Sequence, residues 1–146
     1  MSARKSRHLL MQALVRSSAL YGAHPQLADI DAELEELGRC SRLQPVRRQR
    51  LLQVIHASRA IDTCLSTILV ANGKTNPTGI GGKLHKLKSL PPTTRGYLNH
   101  ATASAFEISI ARKRNRYAHS AGAFPNSTQE VDSFVAEVHA CLAMVV

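Results

Sequence analysis

The run Arg112-Lys113-Arg114-Asn115-Arg116-Tyr117-Ala118-His119 gathers four cations, an amide and an imidazole in eight consecutive residues. An imidazole titrates near neutral pH and so takes up and returns a proton under ordinary conditions. A guanidinium stays charged throughout that range and offers two parallel N–H donors to a phosphate or carboxylate. His119 with Arg114 is therefore a pairing suited to proton transfer beside an anionic centre. Asn115 is a supporting polar group, and Arg112, Lys113 and Arg116 are further contacts for a polyanion.

Other chemistries find less support. The seven histidines, at 8, 24, 56, 85, 100, 119 and 139, show no H-E-x-x-H or comparable ligand spacing, and acidic partners are sparse, so no metal or other cofactor is expected. Gly73-Lys74-Thr75 has the ending of a phosphate-binding loop, but the first glycine of that motif would fall at Ile68, and a helix precedes it where a strand is required. Gly79-Ile80-Gly81-Gly82 lacks a dinucleotide-binding context for the same reason and reads as a loop. No G-x-S-x-G elbow occurs. Cys40, Cys64 and Cys141 are widely spaced and odd in number, which argues against a disulfide scaffold or zinc site and for a reducing, cytoplasmic setting.

The elements that must position Arg114 and His119 are helical. Leu10, Leu14, Ser18 and Tyr21 recur at helical spacing over roughly 4–22, and Ile30, Leu34 and Leu37 do so over 29–37, with Gly38 as a stop. From Val46, the series Leu51, Ile55, Ser58, Ile61 or Asp62, Leu65 and Leu69 makes a long helix ending at Asn72-Gly73. Residues 73–82 form a loop and 83–90 a short helix closed by Pro91-Pro92. A second long helix, capped by Thr93 or Thr94, carries the seam Leu98, Ala101, Ala105, Ile108, Arg112, Asn115 and His119. On that seam apolar residues give way to polar ones toward the end. A connector at 120–127 leads into a last amphipathic helix through Val131, Phe134, Val135, Val138, Cys141, Leu142 and Val145. The expected fold is all-α, one domain over 1–146 built as a bundle of four to six helices.

Composition agrees. Aromatic residues are 4% of the chain and Trp is absent, so aliphatic side chains must pack the core, as helices do well. The net charge of +9 creates a field that attracts polyanions, although surface charge also serves solubility. The apolar stretch Leu9-Leu10-Met11 is interrupted by Gln12 and Arg16, too short and too polar for a signal peptide or a membrane span, so no membrane partner is expected.

The segment Arg114-Asn115-x3-His119 resembles the signature of the HEPN superfamily (higher eukaryotes and prokaryotes nucleotide-binding), Arg followed by four to six residues and then His, with a polar residue, often Asn, directly after the Arg. Spacing alone is weak, because seven His and thirteen Arg give roughly 0.6 chance matches to Arg-x4-His. Arg95-x4-His100 also fits, and Arg50-x5-His56 fits the looser form, but neither has Asn after its Arg, and both lie early in their helices. The setting distinguishes 114–119: the end of the second long helix, a Gly/Pro connector, and one final amphipathic helix. The resemblance covers about the last hundred residues, and the N-terminal forty-five add helices outside the family pattern.

The resemblance implies a metal-independent endoribonuclease acting on RNA in a toxin, defence or RNA-processing role, with a cognate antitoxin or regulatory protein as a further partner. His119 would move the protons of the 2′-hydroxyl and the leaving 5′ oxygen, and Arg114 would stabilise charge on phosphorus. A non-catalytic module that binds RNA, nucleotide or protein is the alternative. Family members regulated by tyrosine modification carry Tyr two residues after the His; here that position is Ala121. On a regular helix Arg114 lies about 140° around from His119, so a bent Arg side chain, an early helix end or a second subunit must bring the two together. The family's habit of dimerising across its motifs implies a homodimer through Leu98–Ile108, while the same seam suits packing inside one chain equally well in pattern.

Overall fold

The computed structural model describes residues 6–146, and all their regular structure is helical. Helix α1 spans Arg7–Arg16, α2 Gln26–Cys40, α3 Val46–Ala71 and α4 Ile80–Lys86, the last continued by a 3-10 turn at Leu87–Ser89. The second long helix is one rod in three parts: α5 His100–Phe106, a π-helical segment Glu107–Arg112, and α6 Lys113–His119. Helix α7, Thr128–Val145, closes the bundle. Counted as continuous rods these are six, an all-α bundle as the periodicity requires.

Helix α3 is the centre. Its buried Val54, Ala57, Ile61, Leu65 and Ile68 meet α2 through Leu27, Ile30 and Leu34 and α7 through Phe134, Val138 and Leu142. Each large side chain buried there contributes about 1.5–3 kcal/mol. By length and composition α3 is apolar enough to cross a membrane, but 56% of its apolar window is buried in the bundle, as in the core helix of a globular domain. The N-terminal helices join this same core through Met11, Val15 and Leu27. Polar contacts fasten them: the Arg16 guanidinium donates to Asp31 at 2.9 Å, and Gln12 Nε2 to Glu35 at 3.1 Å.

Several boundaries differ from the sequence reading. Helix α1 stops at Arg16 instead of near residue 22, because Ser17 Oγ donates to the Leu14 carbonyl and Ser18 Oγ accepts from the Leu20 N–H, turning the chain. Helix α2 begins earlier and runs past Gly38 to Cys40. Gly38 is no stop; a Cβ there would come within 2.5 Å of His8 Nε2, so the glycine leaves room for the His8 ring of α1 against α2. The loop expected to Gly82 ends at Gly79, whose φ of 85° turns the chain into α4. The second rod starts at His100 and not at Thr93 or Thr94, capped by Asn99 Oδ1, which accepts from the Thr102 N–H at 2.8 Å.

The largest correction concerns the face of that rod. Of the expected seam only Leu98 is buried; Ala101, Ala105, Ile108, Arg112, Asn115 and His119 are all exposed. The core takes Ala103, Phe106, Ile110, Ala111 and Tyr117 instead. The wider π turn sets two consecutive residues, Ile110 and Ala111, against the core. The seam therefore does not pack inside the chain.

Candidate functional site

Tyr117 is the buried anchor of α6. Its hydroxyl donates to the Glu130 carboxylate in the first turn of α7. Glu130 also accepts from the Asn126 N–H at 2.8 Å, and its own N–H donates to Ser127 Oγ at 3.1 Å, so one carboxylate joins α6, the connector and the cap of α7. From α3, Arg50 donates to the Asn126 carbonyl at 3.3 Å, and the Arg47 guanidinium lies 3.9 Å from the centroid of Phe124. The connector behind His119 is thus held by α3 on one side and α7 on the other.

Upstream, the π segment is held by Glu107, in hydrogen-bond contact with His85 of α4 and 3.6 Å from Arg112. Its carboxyl lies below the ordinary carboxylate range, chiefly through the His85 hydrogen bond; burial opposes this, and the charges of His85 and then Arg112 add smaller lowering effects. Helix α4 packs against this segment at Gly81, where a Cβ would make ordinary contacts of 3.6 Å with both Ala111 and Glu107. Asp62, the one acid of α3, receives Lys83 Nζ at 2.6 Å, which compensates a lysine side chain only 8% exposed. Asp62 thus holds a lysine, and Glu107 contacts a histidine and an arginine together.

Arg114 turns toward α3. With Arg59, Ser58 and Asp62 it lines a cavity of about 150 Å3 whose apolar wall includes Val54 and Tyr117. Among the described residues no carboxylate lies within ion-pair distance of Arg114, and its hydrogen bond goes from Nη1 to Asn115 Oδ1 at 3.3 Å. Arg112, Lys113, Asn115, Arg116 and His119 are exposed. His119 does not line the Arg114 cavity, and among the described residues no hydrogen bond reaches its ring. Helix α6 includes His119, so an early helix end does not bring the pair together, and Arg114 does not bend toward His119.

The look-alike pairs have other partners. Arg50 ties down the connector, His56 contacts Glu33 at 2.6 Å, Arg95 donates to the Ala143 carbonyl at 2.9 Å near the end of α7, and Lys88 lies 3.2 Å from His100 Nδ1. Sequence reasoning missed Arg59. Its signal was a basic residue three before Asp62, the one acid of the helix, so that a cation and a carboxylate share one face. No protein-family model matches the chain, and neither a curated protein nor a solved structure matches it.

Proposed function

We propose that this chain is a metal-independent endoribonuclease of the HEPN kind that cleaves RNA to a 2′,3′-cyclic phosphate. His119 exchanges protons with the 2′-hydroxyl and the leaving 5′ oxygen, Arg114 holds the phosphate, and Asn115 orients the pair. Arg112, Lys113 and Arg116 follow the RNA backbone. The observation that carries the reading is an Arg114 guanidinium at a cavity with no ion-pair partner among the described residues, on the same helix end as an exposed His119 and three exposed cations.

The site works as a homodimer. One chain holds Arg114 and His119 apart, and the strip Ala101, Ala105 and Ile108 leading to them is exposed, with Ile108 56% accessible. A second copy on that strip doubles the cations around one phosphate. The three buried free cysteines suit a reducing cytoplasm. A toxin or defence role, with an antitoxin or regulatory protein as partner, belongs to the same reading.

The separation of Arg114 from His119 favours a second reading, a non-catalytic module that binds RNA, nucleotide or a partner protein through the same basic face. Incubation of a mixed RNA pool with wild type and His119→Ala in excess chelator, with end-group analysis, separates the two. Cyclic-phosphate ends that depend on His119 support the nuclease; RNA retained intact on both proteins supports the binding module.

A further inference from the structure

The cavity between α3 and α6 is too small for a whole nucleotide: about 150 Å3, against roughly 300–1,000 Å3 for pockets that engulf a small molecule. It has room for one flat ring system, with any attached sugar and phosphate left at the mouth. Apolar Val54 and Ile55 from α3 and Ala118 from α6 are suitable walls for a ring face.

The polar groups at the rim define which ring. Asp62 is an acceptor, and its Oδ1 already accepts from Lys83 Nζ at 2.6 Å, which holds the carboxylate in place next to a cation. Arg59 is a donor; its Nε is spent on Glu33 at 3.2 Å, while its side chain remains 66% exposed with the terminal nitrogens available. These residues are three apart on one face of α3, so a carboxylate and a guanidinium stand side by side. Guanine is the base whose edge presents adjacent N–H donors, which a carboxylate accepts, beside O6 and N7 acceptors, which an arginine serves with two donors. Uracil offers a single ring N–H and no amine.

We infer that this cavity is a guanine subsite, in which Asp62 and Arg59 read the base and Arg114 binds the phosphate attached to its ribose. The inference rests on the ribonuclease reading for its RNA context, but the subsite itself takes guanosine monophosphate with or without cleavage.

The test has two arms. In the first, guanosine and uridine 3′-monophosphates are titrated separately into the full chain and followed by amide NMR. Guanosine monophosphate should shift the amides of 54–62 and 114–118 and bind about 10-fold more tightly than the uridine compound, the scale of one or two net hydrogen bonds. Asp62→Asn should erase that difference. Because this variant leaves Lys83 without its counter-ion, Ala118→Leu serves as the second variant, filling the cavity from an exposed helix position. It should abolish the shifts with helicity intact. Equal binding of both nucleotides, or shifts confined to other residues, overturns the subsite. In the second arm, cut positions are mapped on a mixed RNA pool. Cleavage confined to positions beside guanosine supports the subsite. Cleavage without base preference overturns it and leaves the nuclease reading standing; guanosine monophosphate bound in the cavity with RNA uncut supports the subsite and removes the nuclease reading.

Discussion

Arg114 and His119 share the regular turns of α6, yet Arg114 lines the cavity against α3 while His119 stands in solvent outside it. Five residues of α-helix turn through about 140°, so no rotamer of the short imidazole carries it around to the guanidinium side. If the two act on one phosphate, a second copy supplies the other half. Light scattering near 100 µM should then show a dimer. Ile108→Glu should be a folded monomer with lost cleavage, because the side chain is 56% exposed in the single chain and its charge must be desolvated only on association. A protein that stays monomeric while cleaving RNA at full rate would refute the shared site.

His119→Ala and Arg114→Ala should each lower cleavage by about 10² or more, the scale of losing an acid/base or a charge-stabilising group. Helical circular dichroism should not change, since His119 is exposed and, among the described residues, Arg114 makes only one long hydrogen bond. Arg95→Ala and His100→Ala should leave the rate near wild type. The loss of the Arg95 bond to the Ala143 carbonyl should appear instead as a stability change within about 1 kcal/mol in urea titration. Equal rate losses from the two pairs would mean the motif is misassigned.

Tyr117→Phe keeps the buried ring and deletes only the hydroxyl that joins α6 to Glu130. Glu130 retains the Asn126 N–H, so the cost should be about 1 kcal/mol, lowering Tm by roughly 2–4 °C in calorimetry. An unchanged Tm would show that the link between α6 and α7 is no stronger than its solvated alternative.

The depressed carboxyl of Glu107 gives a pH dependence of definite sign. The folded protein prefers the charged form, so its contribution is present above the ordinary value of 4.5 and is lost as pH falls through the lower folded value. Glu107→Gln should therefore unfold at lower urea than wild type at neutral pH, with the two midpoints converging as pH falls below 4.5 through the lower folded value. A gap that stays constant across this range would mean that the charge on Glu107 contributes nothing.

The all-α bundle was legible because the 3-4 spacing of Ser58, Ile61, Leu65 and Leu69, and of Val131, Phe134, Val138 and Leu142, is a local property of a helix with one buried face. The helical run through Arg114 and His119 followed from the same periodicity, and Gly122 and Pro125 marked the connector after it. Other features depend on what a helix meets. Gly38 has a local signature of helix termination, and only the approach of His8 makes it a mid-helix contact. The strip Ala101, Ala105 and Ile108 looked buried because small and apolar residues at helical spacing score alike on either of two neighbouring faces. The π turn at Glu107–Arg112, held by His85 from α4, sets both Ile110 and Ala111 inward, and the strip before Arg112, Asn115 and His119 faces solvent. The sequence by itself determined the helices and the order of charges along them. Which charges face a cavity, which face solvent and which are neutralised was decided by packing, since Arg59, Asp62, Lys83 and Arg114 come from three helices whose separation along the chain carries no signal of their meeting.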